Sequence, residues 1–376
     1  METPLRRTWA EIDLDALAHN LAVIRRQVGE GAKLLGVVKA DAYGHGAVPV
    51  ARKLEQLGAS YLAVSNIDEA AELRDGGVTL PILMLGFTPA EQAERIVRIG
   101  MTQAVPNLEI ARAYDAAAAR AGQPMKVHIK LDTGMGRLGF PCDDAHFDAS
   151  LRDVRAVLDL PHLDVEGVFT HFAVSDEDAP EHVAFTRVQH ERFLRMIEAA
   201  EDGGFRFRLR HCCNAGGIAS YPEWAGDMVR CGIILYGTGE LAERMGMKPV
   251  MRLKTTVATV RDFDPDVSIS YGRTYYTDKP SRVAVLSVGY ADGLHRALSN
   301  KLQVKTPYGM ARQIGRICMD MCMIDATEQP LLKSGDEVEI FGEAVPCEAL
   351  AKLCGTISYE LLCAVSRRVP RVYLER

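Results

Sequence analysis

The sequence predicts an α/β protein, an N-terminal (β/α)8 TIM barrel followed by a mostly β C-terminal domain. Two patterns predict it. From about residue 30 to residue 236, short β-branched runs alternate with longer stretches of helical period, as parallel βα units do. After Tyr236 the helical stretches give way to strand-like runs separated by turn residues. A chain of 376 residues exceeds what one hydrophobic core usually holds, so two domains are expected. They are taken as 1–242 and 243–376, with roughly the first 10 residues free to join the second.

The barrel strands are read, in order, as LLGVV from Leu34, YLAVS from Tyr61, PILML from Pro81, TQAV from Thr102, KVHIKL from Lys126, DVEGVF from Asp164, FRLRHC from Phe207 and DMVRCGI from Asp227. Helical period falls between them at Ala47 to Leu57, Ile67 to Arg74, Pro89 to Ile99, Leu108 to Ala121 and Glu181 to Ala200. Eight strands with intervening helices suggest a closed parallel barrel. Gly237 to Lys248 has glycines and no clear period, which places the boundary there. Beyond it, Val250 to Val260, Ser281 to Val288, Leu302 to Val304, Gln313 to Ile317 and Glu337 to Phe341 read as strands with little helix.

With 48% hydrophobic residues and a formal charge of −6, the composition is that of a globular protein with no affinity for nucleic acid. No apolar run reaches a membrane span, and METPLRRTWAEIDLDAL lacks the apolar core of a signal peptide, so a cytoplasmic place is expected. The nine cysteines are scattered, with Cys212 beside Cys213, which suits reduced thiols better than disulfides or a metal site.

In barrel enzymes chemistry gathers at the carboxyl ends of the strands, where loops change without disturbing the core. Here Lys39 follows LLGVV, Arg137 follows KVHIKLDTGMG, His171 follows DVEGVFT, Asn214 follows FRLRHCC and Arg230 ends DMV. Five reactive or cationic side chains therefore converge on one rim. The last two loops, HCCNAGG and RCGI, bring Gly216, Gly217 and Gly232 where such barrels commonly hold a phosphate. The plainer alternative is that these glycines permit tight turns.

VVKADAYGHG at Val37 to Gly46 resembles the lysine signature of fold-type III alanine racemases, and the resemblance runs nearly end to end. It takes in KLDTGMGRLGF from Lys130, THF from Thr170, CNAGG from Cys213, MVRCGIILYG from Met228, SYGRTY from Ser270, VGYADG from Val288, GRICMDM from Gly315 and TISYE from Thr356. The resemblance implies an isomerase, EC 5.1.1.1, that interconverts L- and D-alanine by a two-base mechanism through a pyridoxal 5′-phosphate aldimine. In that family the product serves cell-wall peptidoglycan. Lys39 would condense with the cofactor, since only an amine forms an imine with its aldehyde, and would then act as one base. Tyr271 would be the second base, delivered by the β domain of a partner subunit, so a homodimer with shared active sites is implied. His171 and Arg230 are similar to the residues that tune this phenol, whose ordinary pKa is about 10.

The same resemblance makes Tyr43, Asn214, Gly232, Ile233 and Tyr359 cofactor-binding, the two loop residues Gly232 and Ile233 through backbone N–H. Arg137 would reach the cofactor's phenolic oxygen and the substrate carboxylate. Met319, Asp320 and Tyr290 would bind substrate, and Lys130 is matched to a lysine that can be carbamylated. No metal is implied. Arg230 is matched to an arginine beside the pyridine nitrogen; with a pKa above about 12 it cannot protonate the ring, which restrains transamination. One departure stands out: Ala215 occupies a place where many family members put a serine hydroxyl on the phosphate. The alternatives are a broader amino-acid racemase acting on serine, a decarboxylase of the same fold type and a non-catalytic pyridoxal phosphate carrier.

Overall fold

The computed structural model describes residues 7–375. Eight parallel strands form the barrel: β2 (Lys33–Val37), β3 (Tyr61–Val64), β4 (Ile82–Met84), β5 (Thr102–Val105), β6 (Met125–Asp132), β8 (Leu163–Phe169), β9 (Leu209–His211) and β10 (Met228–Cys231). The two-residue strand β7 (Phe140–Pro141) pairs alongside β6, off the main path. The ring runs β10-β2-β3-β4-β5-β6-β8-β9. Two backbone bonds, Asp227 N–H to the Arg210 carbonyl and Arg230 N–H to the Cys213 carbonyl, close the seam between its ends.

The first described strand is not part of the barrel. β1 (Thr8–Asp13) pairs antiparallel with β11 (Met251–Phe263) and parallel with Arg371–Leu374, so it belongs to the second sheet. Asp13 then caps the helix Leu14–Val28, its carboxylate accepting from Ala16 N–H at 2.8 Å. Leu14, Leu17, Leu21 and Ile24 lie on the buried stripe of that helix. The sequence reading began its βα alternation at about residue 30 and passed over this helix, although the spacing is legible. It also passed over Phe147–Leu158 between β7 and β8, which buries Phe147, Ser150, Val154 and Val157.

In the second domain, the first half of β11 pairs with Glu337–Phe341 and its second half with Ser281–Leu286, with a register shift between Val257 and Thr259. With β1 that makes three neighbours for one 13-residue strand. The ring closes through Cys322–Asp325, Gly309–Ile314 and Gln303–Thr306. The strand expected at Gln313 to Ile317 lies earlier, at Gly309–Ile314. Two helices, Cys347–Cys354 and Ser358–Ala364, stand where little helix was expected. One apolar core runs from Ile24 and Leu35 of the barrel to Val338 and Leu362 of the second domain. Among the described residues, no helix is long and apolar enough to cross a membrane.

Candidate active site

Lys39 lies just past β2 and opens a turn of unusual hand. Ala40, Asp41, Ala42 and Tyr43 have φ of 51, 54, 52 and 52°, a run of left-handed residues with side chains. That backbone costs about 1–2 kcal/mol per residue, so it must be held from outside. Glu69 accepts from Ala40 N–H at 2.8 Å, and Asp41 accepts from Ala47 N–H at 2.7 Å. The buried His45 ring bonds the carbonyls of Ala42 and Tyr43 at 2.8 and 3.0 Å; because carbonyls only accept, Nδ1 carries the proton. The turn sets Lys39 half-buried at the mouth and packs the Tyr43 ring 5.1 Å from Tyr236 and 6.1 Å from Tyr359. Burial lowers the Lys39 amine below its ordinary range, and the nearby Arg137 guanidinium lowers it further.

Arg230 is buried in β10. Its Nη2 donates to the carbonyls of Thr170 (2.7 Å) and Cys212 (2.9 Å), and its Nη1 to the His211 carbonyl and His211 Nδ1, both at 3.1 Å. Four N–H groups are thereby satisfied; the Nε–H donates to no described residue. His171 lies 3.5 Å from Nη2 and is held neutral by burial and by the cations Arg230, Lys130, Arg137 and Lys39. Asn214 accepts from Gly217 N–H at 3.0 Å and donates to the Phe172 carbonyl at 3.1 Å, capping the short helix Ala215–Ser220. Arg137 stands exposed on the glycine-rich loop that Asp132 pins through the N–H groups of Gly134 and Gly136. Lys130 donates to the Leu131 carbonyl at 2.7 Å over the Phe169 ring; burial, with Arg230 beside it, brings its amine down to about 7.

This mouth fits an anionic, phosphorylated ring. Lys39, Lys130, Arg137 and Arg230 act electrostatically on the neutral His171. The Tyr43 hydroxyl and the N–H groups of Gly232 and Ile233 donate to no described residue, and Gly232 lies against that hydroxyl. Free N–H groups at the last strand's end are what a phosphate takes in such barrels. Ala215 supplies no hydroxyl.

The other expected residues lie elsewhere. Tyr271 is 70% exposed at the tip of a tight turn, Tyr271–Arg273, between Ser268–Ile269 and Tyr275–Tyr276. It shares a cavity of about 640 Å³ with Met319, Asp320 and Met321, all on the second domain, and no barrel residue lines it. Tyr290 begins the turn Tyr290–Asp292, which is tied to that loop by Tyr290 N–H to the Cys318 carbonyl and Ala291 N–H to the Met319 carbonyl, both at 3.0 Å. The Asp320 carboxylate accepts from Arg368 at 2.8 Å, and the same arginine holds the buried Asp292 at 2.7 Å. Tyr359 alone among the expected second-domain residues reaches the barrel mouth of its own chain. Within one chain, then, the structure gathers Lys39, Tyr43, His171, Asn214, Arg230 and Tyr359 and keeps Tyr271, Met319 and Asp320 apart from them. Sequence reading missed His211, whose only signal was its place at the end of FRLRHC.

Models of two domains match nearly the whole chain: "Alanine racemase, N-terminal domain" at residues 12–240 and "Alanine racemase, C-terminal domain" at 250–373. An alanine racemase of Desulfovibrio desulfuricans is 45% identical over 374 residues, 98% of this chain and 99% of that protein. One of Clostridium perfringens is 44% identical over 381 residues, 99% and 97% of the two chains. Among solved structures, alanine racemase of Clostridium difficile 630 superposes with a TM-score of 0.93 at 39% identity, covering 99% of this chain and 97% of that one. That of Streptomyces lavendulae gives 0.92 at 34%, covering 100% and 98%. These full-length matches favour neither the carrier reading nor the broader-specificity ones.

Proposed function

The chain belongs to the alanine racemase family, and from that premise we propose that it interconverts L- and D-alanine as a homodimer that uses pyridoxal 5′-phosphate. The observation that carries the cofactor assignment is a set of donors at the barrel mouth without a partner among the described residues: the Arg230 Nε–H, the Tyr43 hydroxyl and the N–H groups of Gly232 and Ile233, beside an amine lowered below its usual range. When bound, pyridoxal phosphate supplies an electron sink that makes the Cα–H of alanine acidic. Tyr43, Asn214 and Tyr359 complete the cofactor's surroundings, and Arg137 binds the substrate carboxylate.

Inverting a tetrahedral carbon requires a proton to leave one face and another to arrive on the opposite face. Lys39 Nζ serves one face. In one direction the amine takes the Cα proton and becomes ammonium, while the Tyr271 hydroxyl of the partner gives its proton and becomes phenolate; the reverse reaction exchanges the roles. The exposure of Tyr271 supports a site shared between chains, because a catalytic phenol that touches no barrel residue of its own chain needs another barrel. Met319 N–H meets the substrate carboxylate, with Asp320 holding that loop through Arg368 and Tyr290 narrowing the approach. Lys130, its amine lowered by burial to about 7 and so in large part uncharged and nucleophilic at neutral pH, is placed for carbamylation, which would give Arg137 an anionic partner. A cytoplasmic place, with D-alanine feeding cell-wall synthesis, accords with nine unpaired cysteines.

The test is racemisation on a panel of L-amino acids, with deuterium exchange at Cα in heavy water. Turnover of alanine well above other amino acids supports the reading. A chain that binds the cofactor without exchanging the proton refutes it.

A further inference from the structure

A fully buried guanidinium ordinarily has a carboxylate against it, because an unpaired charge in a low-dielectric interior is costly. Arg230 has none within ion-pair distance among the described residues. Its Nη1 instead donates to His211 Nδ1 at 3.1 Å. His211 Nε2 lies 2.9 Å from His128 Nδ1, and His128 Nε2 lies 3.4 Å from the Glu166 carboxylate. Glu166 also accepts from the Tyr61 hydroxyl at 2.6 Å. Both imidazoles are fully buried, and this line crosses the barrel interior, where most barrels stack branched aliphatics.

The two ends dictate the direction of every bond. A guanidinium only donates, so His211 Nδ1 is bare and Nε2 carries the proton; an ionised carboxylate only accepts, so His128 Nε2 carries its proton too. An imidazolium at His211 would set an N–H against an N–H of Arg230. Both rings are therefore neutral, in line with burial, which lowers both, and with Arg230, which lowers His211 further. Glu166 is the ionised end: burial raises its carboxyl, but the bonds from His128 and Tyr61 outweigh this and bring it to about 2. Arg208, held by Asp164 at 2.6 Å, and Lys126 act on Glu166 electrostatically, but neither forms an ion pair with it among the described residues.

The backbone is shaped for this line. The β6–β8 register shifts between Val127 and His128, and a Cβ on Gly167 would lie 2.8 Å from the His128 ring. We infer that Glu166 is the counter-charge of Arg230, acting through two neutral imidazoles, and that Glu166 and His128 are positioning residues that hold the guanidinium's Nε–H toward the cofactor site. This rests on the function proposed above only for its kinetic consequence; the proton order is a property of the chain itself.

The first measurement is the tautomer of His128 and His211 by nitrogen-15 NMR, with and without pyridoxal phosphate. Both rings protonated at Nε2 and bare at Nδ1 support the inference; a His211 protonated at Nδ1, or charged, overturns it without any variant. In the loaded enzyme, Glu166→Gln should lower kcat roughly tenfold with little change in KM and raise the fraction of turnovers that end in transamination. Gly167→Ala, which displaces the His128 ring, should do the same. If Glu166→Gln and Gly167→Ala leave that fraction and the kcat of a racemising enzyme unchanged, Glu166 is not a positioning residue. A wild-type chain with the expected tautomers but no racemisation would overturn the proposed function and leave this proton order standing.

Discussion

Arg230 shows how much one side chain's neighbours decide. Four of its N–H groups are fixed by carbonyls and His211, and being always charged it cannot hand a proton to a ring nitrogen. Arg230→Glu would place a group that can share a proton there and strengthen the electron sink. Transamination with alanine should then rise, seen as faster accumulation of pyridoxamine phosphate; an unchanged rate would refute this role for the arginine. Ala215→Ser should add the hydroxyl this loop lacks and tighten cofactor binding by about 1 kcal/mol, roughly fivefold in the dissociation constant measured by dialysis. Lys39, Arg137, His171, Asn214 and Arg230 were legible because each follows or ends a strand run. His128 and Glu166 were not, because KVHIKL and DVEGVF alternate without saying which face is inside a closed barrel.

At the scale of the element, the left-handed run Ala40–Tyr43 is the piece that no pattern could have disclosed. Propensity assigns such a backbone to glycine, and here four residues with side chains adopt it because Glu69, Asp41 and His45 fasten it. Gly44, at the end of the run, has no room for a methyl, since a Cβ would collide with the Leu362 carbonyl. Gly44→Ala should therefore destabilise the protein by about 3 kcal/mol or more and weaken cofactor binding, whereas Ala42→Gly should relieve strain and change stability by at most about 1 kcal/mol. Thermal unfolding of the two variants decides it: equal losses would mean that the turn is not strained. By contrast, the strands of the barrel were legible almost to the residue, being short β-branched runs buried on both faces. Helices Cys347–Cys354 and Ser358–Ala364 escaped because two helices of eight and seven residues offer barely two turns of period.

For the whole molecule, two consequences follow. If the site is shared, Lys39→Ala and Tyr271→Phe should each abolish most activity alone, and mixing the two under conditions that exchange subunits should restore part of it. Mixed dimers carry one centre with both residues intact; no recovery in verified mixed dimers would refute sharing. The second consequence is acid sensitivity. His45, His128, His171 and His211 are all lowered, first of all by burial, with His45 at about 4. Because the folded values lie below the ordinary 6.5, the unfolded chain binds more protons in this range. Stability is therefore full above about pH 6.5 and declines as pH falls toward 4, by on the order of 3 kcal/mol from His45 alone. Denaturant titrations across that window should show the decline, and a flat profile would contradict the neutral histidines. The placement of β1 bears on synthesis as well. The ribosome makes this strand well before its antiparallel partner, which begins at Met251, and its parallel one, which begins at Arg371. The barrel can take shape while translation continues, but β1 must wait, unpaired, for both of these strands to emerge, and until then its bare edges invite pairing with other chains.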